Sequence, residues 1–232
     1  MRFMSERINS LFSDISSNYD TMNHVLSFGI DTLWRRKAAK AALLPGRSYR
    51  VLDIATGTGD LAIAVRKAAV SHSKSADITA MDFNLDMLKI AKSKASNYNI
   101  KDIKFETGDA LKMKYMDESF DVLTSAFALR NFDDLDSFLK EAYRILRPNG
   151  KVVFLDMAIP DSFFEREFFR LYSRFMLIAG SLVDVGAYAW LVKSIKNFDK
   201  KRLAQLAAKN KFKNVKITNL TSGIAYLLTA EK

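Results

Sequence analysis

Residues 50–61, RVLDIATGTGDL, constrain the chain more than any other stretch. A short run of strand-forming residues carries Asp53, turns through Gly57 and Gly59, and passes at once into a helical pattern. Glycine permits left-handed backbone and close approaches that a Cβ would block, and the helix that follows presents unpaired N–H groups. Strand, glycine turn and helix start, in that order, predict a cradle for a polar ligand.

Gly57, Gly59 and Ala62 fit the pattern GxGxxA, so the glycines alone also suit a dinucleotide. Asp53, four residues ahead of the first glycine, and the polar Thr56 and Thr58 separate the two cases. A carboxylate beside a pyrophosphate is repelled, whereas one beside the cationic amino and sulfonium end of S-adenosylmethionine is attracted. The loop therefore favours S-adenosylmethionine over NAD. A second strand, Asp77 to Asp82, ends in an acid about two dozen residues further on, the usual distance for a carboxylate gripping ribose hydroxyls. A third, Ile103 to Glu106, leads into Gly108, Asp109 and Ala110, where Asp109 would accept from an adenine amino group. Each acid has a plainer alternative: Asp82 as the cap of a helix starting near Asn84, and Asp109 as the side chain that satisfies a turn. Acids at three successive strand ends on one sheet rim favour the ligand roles.

From residue 50 to 157 apolar, β-rich runs alternate with helical ones. Val51–Ile54, Ile78–Met81, Ile103–Phe105, Val122–Ser125 and Val152–Leu155 read as strands, and Asp86–Ala95 and Leu135–Leu146 keep helical spacing. Such alternation implies an α/β fold, a mainly parallel sheet with helices on both faces. Pro148, Asn149 and Gly150 are expected to stop a helix and turn the chain into the fifth strand. Val215–Thr218 and Ile224–Thr229 are separated only by Asn219 to Gly223, too few residues for a crossover helix, so they should form an antiparallel hairpin at the sheet edge. Five parallel strands plus a terminal hairpin resemble the Rossmann-like, seven-stranded sheet of class I methyltransferases and argue against the six parallel strands of a dehydrogenase.

The 232 residues, 49% of them hydrophobic, suffice for one substantial core, and no linker-like stretch interrupts them. One domain is expected: a helical lid over 1–45, a cofactor-binding core over 46–160, a helical substrate cap over 161–205 and the terminal hairpin over 206–232. No run reaches the roughly 18 to 20 apolar residues that span a bilayer, and MRFMSERINS lacks the apolar centre of a signal peptide. A cytoplasmic protein is expected. With 0 cysteines a thiolate mechanism, a disulfide and a Cys-ligated metal are all excluded, and with only His24 and His72 a histidine metal centre is not expected.

Net charge is +10. The excess is concentrated in Lys193, Lys196, Lys200, Lys201, Arg202, Lys209, Lys211, Lys213 and Lys216, which meet only Asp199 in that stretch. Such a run reads first as a solvated helix face; otherwise it points to an anionic membrane surface or nucleic acid. Nucleic acid is not the expected partner. Methylating C5 of cytosine normally takes a thiolate, and methylating an exocyclic adenine amine usually takes an Asn or Asp-Pro-Pro-aromatic motif, whereas no two of the 3 prolines adjoin.

Between the fifth and sixth strands, Phe164, Phe168, Leu171, Tyr172 and Phe175 recur on one helical face and Arg166, Arg170 and Arg174 on another. The aromatic face is expected to cap the core, with an apolar substrate tunnel or membrane contact as the alternative. At the N-terminus Ile8, Leu11, Phe12 and Ile15 keep helical spacing and lead into YDTMNHVLSFGIDTLWRR.

Together these segments resemble the ubiquinone/menaquinone biosynthesis C-methyltransferase family. The resemblance runs from about Phe12 to Lys232 and rests on YDTMNHVLSFGIDTLWRR (19–36), VLDIATGTGDL (51–61), DFNLDML (82–88), FALRNFDD (127–134), YRILRPNGKVVFLDMAIP (143–160) and NLTSGIAYL (219–227). It implies methyl transfer from S-adenosylmethionine to a ring carbon of a polyprenylated benzoquinol or naphthoquinol. It also matches Thr58, Asp82, Asp109 and Ala110 to positions that hold the cofactor. With Asp53, Thr56, Gly57, Gly59, Phe83 and Ala126 these form the expected cofactor-binding set, and Tyr19 and Met22 are expected in a lid over it. Three departures bear on the acceptor: Ala126 replaces a usual serine, Ala128 a glycine, and Asp156-Met157-Ala158 a Glu-Phe-Ser.

Carbon methylation needs a ring hydroxyl ionised toward phenolate and a taker for the ring proton. Arg130 is the expected catalytic residue, since a guanidinium at the fourth strand's end pairs with a developing phenolate and positions a water. Its plainer role is a salt bridge to Asp133 or Asp134. Asn131 either orients a quinol oxygen or caps the following helix. Tyr188 and Asp156 are weaker substrate-side candidates. The expected partners are a hydrophobic quinol and, through the basic and aromatic surface, the inner face of the cell membrane; a homodimer stays open. Another small hydrophobic acceptor, a phenol or lipid, is the alternative.

Overall fold

The computed structural model describes residues 27, 29–43, 48–181 and 185–232. Tyr19 and Met22, and most of the expected lid, lie outside the described residues.

Seven strands form one sheet: β1 (Tyr49–Ile54), β2 (Ala76–Asp82), β3 (Ile103–Thr107), β4 (Phe120–Ala126), β5 (Leu146–Met157), β6 (Lys213–Leu220) and β7 (Ala225–Glu231). Their order is β3-β2-β1-β4-β5-β7-β6, with β1 to β5 parallel and β7 antiparallel to both β5 and β6. The hairpin follows from chain length. Thr221 to Ile224 close it, with Thr221, Ser222 and Gly223 all at positive φ (42°, 51° and 79°) and the Gly223 amide donating to the Leu220 carbonyl at 3.0 Å.

The helices are α1 (Ile30–Ala42), α2 (Asp60–Ser71), α3 (Leu85–Asn97), α4 (Leu135–Ile145), α5 (Phe163–Ser181), α6 (Val185–Asn197) and α7 (Lys200–Lys209). Strand residues alternate between two cores. Val51, Ile78, Val153 and Leu155 pack with Trp34 and Ala38 of α1, Leu61 and Val65 of α2, Ala95 of α3, Phe169 of α5 and Ile195 of α6. Leu52, Ile54, Val152 and Phe154 pack on the other face with Phe138, Leu139 and Ala142 of α4 and Leu203 and Ala207 of α7. Burial on both faces is what a parallel sheet under crossover helices requires.

Three elements differ from expectation. β5 starts at Leu146, before Pro148-Asn149-Gly150: Leu146 pairs with Phe120, Lys151 with Val122, and the intervening residues loop out with Asn149 at φ 62°. A Cβ on Gly150 would lie 2.8 Å from the Arg147 carbonyl oxygen, so only glycine fits that loop. In α5, Phe169 is buried and Tyr172 half-buried, while Phe164 and Leu171 face outward. With aromatics at 163, 164, 169 and 172 the helix carries apolar residues on more than one face, and packing selects that of Phe169; the side chains of Phe168 and Phe175 lie outside the described residues. Lys200, expected on a solvated face, is buried: its Nζ lies 2.8 Å from Asp161 Oδ2 and 2.8 Å from Asn219 Oδ1, groups that only the folded chain brings to it.

Candidate active site

The strand order reverses between β1 and β4, and the crevice beyond their carboxyl ends is where open α/β sheets bind ligands. The first residue out of each strand is strained: Ala55 after β1 at φ 51° and Phe127 after β4 at φ 60°. Positive φ at a residue bearing a Cβ is uncommon and clusters at functional sites.

Asp53 lies buried beneath the glycine loop. Its Oδ2 accepts from Thr56 Oγ1 at 2.5 Å and its Oδ1 from Thr124 Oγ1 at 2.6 Å, so the carboxylate joins β1, the loop and β4. Burial pushes its pKa up to about 6, against the threonine hydrogen bonds that lower it. Asp53, expected near a ligand's cationic end, thus ties the loop to β4 from below and sets a negative charge under it.

Asp82 closes β2, and its Oδ2 accepts from the Gly57 amide at 2.7 Å and its Oδ1 from the Asn84 amide at 2.9 Å. The cap of α3 is Asn84 itself, which accepts from the Asp86 and Met87 amides, so the capping alternative for Asp82 is set aside. Burial raises the Asp82 pKa, again against hydrogen bonds that lower it. Two carboxylates under one loop leave a negative field that suits a sulfonium and an ammonium and disfavours a pyrophosphate.

Gly57 (φ 55°) has open space where a Cβ would stand, and Gly59 (φ 82°) precedes α2 with its missing Cβ 3.0 Å from the Ala91 Cβ. Thr58 is buried and accepts from Lys94 Nζ at 3.0 Å; the same ammonium lies 2.7 Å from Asp60 Oδ1, and Arg35 Nη2 lies 3.5 Å from Asp60 Oδ2. Thr124, Lys94 and Arg35 are residues that sequence reasoning missed. Nothing in their spacing marks them, since each comes to the loop from an element whose neighbour is set by the fold.

At the outer rim Asp109 is exposed and closes the turn foreseen as its plainer role, its Oδ1 accepting from the Leu111 amide at 2.8 Å. Ala110 is half-buried beside it, and Phe83, next to Asp82, leaves 43% of its surface exposed. An uncovered ring beside a strand-end carboxylate fits an adenine face, and the absence of any atom within 4 Å of a Cβ on Gly57 leaves the loop backbone open to close approach by a ligand. The donor set therefore accommodates S-adenosylmethionine.

On the β4 side, Ala126 is half-buried and a 3₁₀ turn, Leu129–Asn131, follows Phe127. Arg130 pairs with neither Asp133 nor Asp134: its Nε lies 2.7 Å from Asp156 Oδ1, with side-chain exposures of 3% and 0%. Asp134 instead caps α4, accepting from the Ser137 amide at 3.0 Å, which also removes the capping role considered for Asn131. Asp156 is buried in β5 behind the 3₁₀ turn, with its oxygens on Arg130 and on the Met157 amide. The side chain of Tyr188 lies outside the described residues.

A family model, the ubiE/COQ5 methyltransferase family, matches residues 1–232. The chain belongs to the ubiE/COQ5 methyltransferase family. Among its relatives, the demethylmenaquinone methyltransferase of Deinococcus radiodurans is 40% identical over 231 residues, covering 98% of this chain and 93% of that protein. The ubiquinone/menaquinone biosynthesis C-methyltransferase UbiE of Rickettsia felis is 35% identical over 231 residues, covering 97% and 92%. Among solved structures, a putative S-adenosyl-L-methionine-dependent methyltransferase of Methanococcus maripaludis superposes with TM-score 0.69 at 19% identity, covering 95% of this chain and 93% of that one, a likeness of fold. As a ubiE/COQ5 methyltransferase the chain is an enzyme whose methyl donor is S-adenosylmethionine.

Proposed function

We propose that this ubiE/COQ5 methyltransferase transfers a methyl group to a ring carbon of a polyprenylated quinol, a demethylmenaquinol or a demethylated benzoquinol, in respiratory quinone biosynthesis. The observation that carries the acceptor side is a guanidinium, Arg130, in the turn that leaves β4, the strand next to β1 of the cofactor loop, held at 2.7 Å by the buried Asp156 carboxylate of β5. The near-full-length relatives with quinone-pathway names support the same acceptor.

S-adenosylmethionine supplies an electrophilic methyl for an in-line displacement. Asp82 and Asp109 would hold its ribose and adenine ends, Phe83 and Ala110 would flank the base, and Thr56, Gly57, Thr58 and Gly59 would shape the cradle, with Ala126 on the β4 side. Tyr19 and Met22 would close over it. Arg130 would stabilise charge on the ring oxygen as the ring carbon takes the methyl and the thioether leaves, and would position the water that carries off the ring proton, while Asn131 orients that oxygen.

The acceptor's isoprenoid tail belongs in a bilayer, and the protein meets it there as a peripheral enzyme on the inner face of the cell membrane. Among the described residues no helix is long and apolar enough to cross a membrane. Phe163 and Phe164 open α5 at 72% and 84% exposure with ring centroids 5.9 Å apart, and exposed Arg170 and Arg174 follow on the same helix. Exposed aromatics beside cations fit an anionic headgroup layer.

The deciding experiment incubates purified protein with S-adenosylmethionine and reduced demethylmenaquinone, or a demethylated benzoquinol analogue, in detergent, and reads the ring by mass spectrometry. Addition of one methyl is the expected result and names the preferred ring. Unmodified quinol with cofactor bound would overturn the quinol acceptor and move the search to another hydrophobic phenol or lipid.

A further inference from the structure

Of the three guanidinium nitrogens of Arg130, two are engaged by the protein. Nε lies 2.7 Å from Asp156 Oδ1, an ion pair in which the N–H points off the line to oxygen, and Nη2 donates to the Phe127 carbonyl at 3.3 Å. Nη1 is buried and has no hydrogen-bond partner. Asp156 grips the same arginine twice, because its Oδ2 also accepts from the Arg130 backbone amide at 3.4 Å, while Oδ1 accepts from the Met157 amide at 2.7 Å.

Tyr226 stands opposite Asp156 in the β5–β7 register, hence on the same face of the sheet. Its ring lies nearly parallel to Phe198, and its buried hydroxyl has no partner. The carboxylate is thus set between Arg130 from the 3₁₀ turn, whose charge lowers its pKa against the rise that burial causes, and Tyr226 from β7, whose phenol is pushed up by burial and by the Asp156 charge.

An ion pair in a dry interior is a poor device for stability, since well-packed apolar residues of similar volume do as well or better, and an unpartnered buried N–H is a further cost. Both make sense where the guanidinium must be fixed and one edge kept free for a ligand.

We propose that Asp156 is a positioning residue for methyl transfer, fixing the Arg130 guanidinium so that Nη1 is the edge presented to the acceptor's ring oxygen. The inference rests on the reading that puts Arg130 at the acceptor. Asp156 touches no substrate and acts only through Arg130.

The test compares wild type with Asp156→Asn, Arg130→Met and the double variant, measuring kcat and KM with a reduced demethylmenaquinone analogue and S-adenosylmethionine affinity by calorimetry. Asp156→Asn should leave cofactor affinity within about twofold while kcat falls roughly 100-fold, the scale of a small misplacement of a reacting group. Added to Arg130→Met, it should change kcat less than about twofold, the non-additivity of residues that act as a unit. A purely structural carboxylate would lower stability without that pattern.

Wild-type kcat in Asp156→Asn beside a disabled Arg130→Met would overturn the inference alone. Wild-type kcat in Arg130→Met would overturn the placement of Arg130 and the inference with it. Should Asp156→Asn not fold, the unaltered protein answers through its Arg130 Nε–H NMR signal, identified by its loss in Arg130→Met. Slow exchange with solvent is expected; exchange as fast as that of a surface arginine would show the pair is not formed and overturn the inference.

Discussion

The Arg35 guanidinium lies 5.0 Å from the centroid of the Phe127 ring, so α1, which packs on one face of the sheet and reaches Asp60 at the end of the glycine loop, also covers the strained exit of β4. Trp34 adds a tilted contact to the same ring at 6.3 Å, and its Nε1 donates to Thr221 Oγ1 of the hairpin turn at 2.8 Å. Arg35 further pairs with Asp31 and lies 3.5 Å from Asp60. Segments around residues 34, 60, 127 and 221 thus meet at one place, and the strain at Phe127 is held by them.

Arg35→Met should therefore destabilise the fold by about 3 kcal/mol in urea titration, because the Asp31 carboxylate stays buried without its guanidinium. A loss under about 1 kcal/mol, the range of an exposed pair, would show that the contact is solvated in solution.

The two loop glycines should respond differently to alanine. At Gly57 only the left-handed backbone opposes a Cβ, a cost of about 1 to 2 kcal/mol. At Gly59 the same strain is joined by a Cβ 3.0 Å from that of Ala91, so Gly59→Ala should lose about 1 kcal/mol more in thermal unfolding. Equal losses would mean that α3 yields freely.

Much of this arrangement is legible in the sequence. The alternation from residue 50 to 157 and the short gap at Asn219 to Gly223 fix the parallel sheet and its antiparallel edge, because chain length forbids other connections. The partner of Arg130 is not legible. Asp133 and Asp134 are near in sequence, but the 3₁₀ turn carries the guanidinium to β5, and that neighbour is known only once β4 and β5 are paired. Lys200 misleads for the same reason, its partners Asp161 and Asn219 arriving from α5's approach and from β6.

Asp53 gives the pH dependence its sign. Its pKa stands near 6 when folded, above the 3.8 of the free side chain, so the folded state binds this proton more tightly than the unfolded state does. The associated stability is complete below about pH 4 and is lost as pH rises through 6. Asp53→Asn, which keeps an acceptor for a threonine, should flatten the pH dependence of urea unfolding between pH 4 and 7. An unchanged slope would assign the titration to other groups, such as Asp82, whose pKa is also raised by burial.

Phe83 offers a readout of the cofactor side that leaves the fold untouched. Its ring is 43% exposed, so Phe83→Ala should cost little stability. If the ring stacks on adenine, S-adenosylmethionine affinity should fall by about 1 to 3 kcal/mol, roughly 5- to 150-fold by calorimetry. An unchanged affinity would remove Phe83 from the base site.

The α5 surface separates an apolar from an ionic contribution to membrane contact. Replacing Phe163 and Phe164 with serine should leave thermal stability near wild type, because both rings are already in solvent. Each phenylalanine buried in an acyl boundary contributes about 1.5 to 3 kcal/mol, so the double variant should sediment with anionic vesicles at least tenfold less well. Raising salt should weaken wild type and variant in the same proportion, since Arg170 and Arg174 remain in both and their attraction is what salt screens. Equal sedimentation of wild type with neutral and anionic vesicles at low salt would remove the ionic part, and equal sedimentation of wild type and double variant would move the contact away from the start of α5.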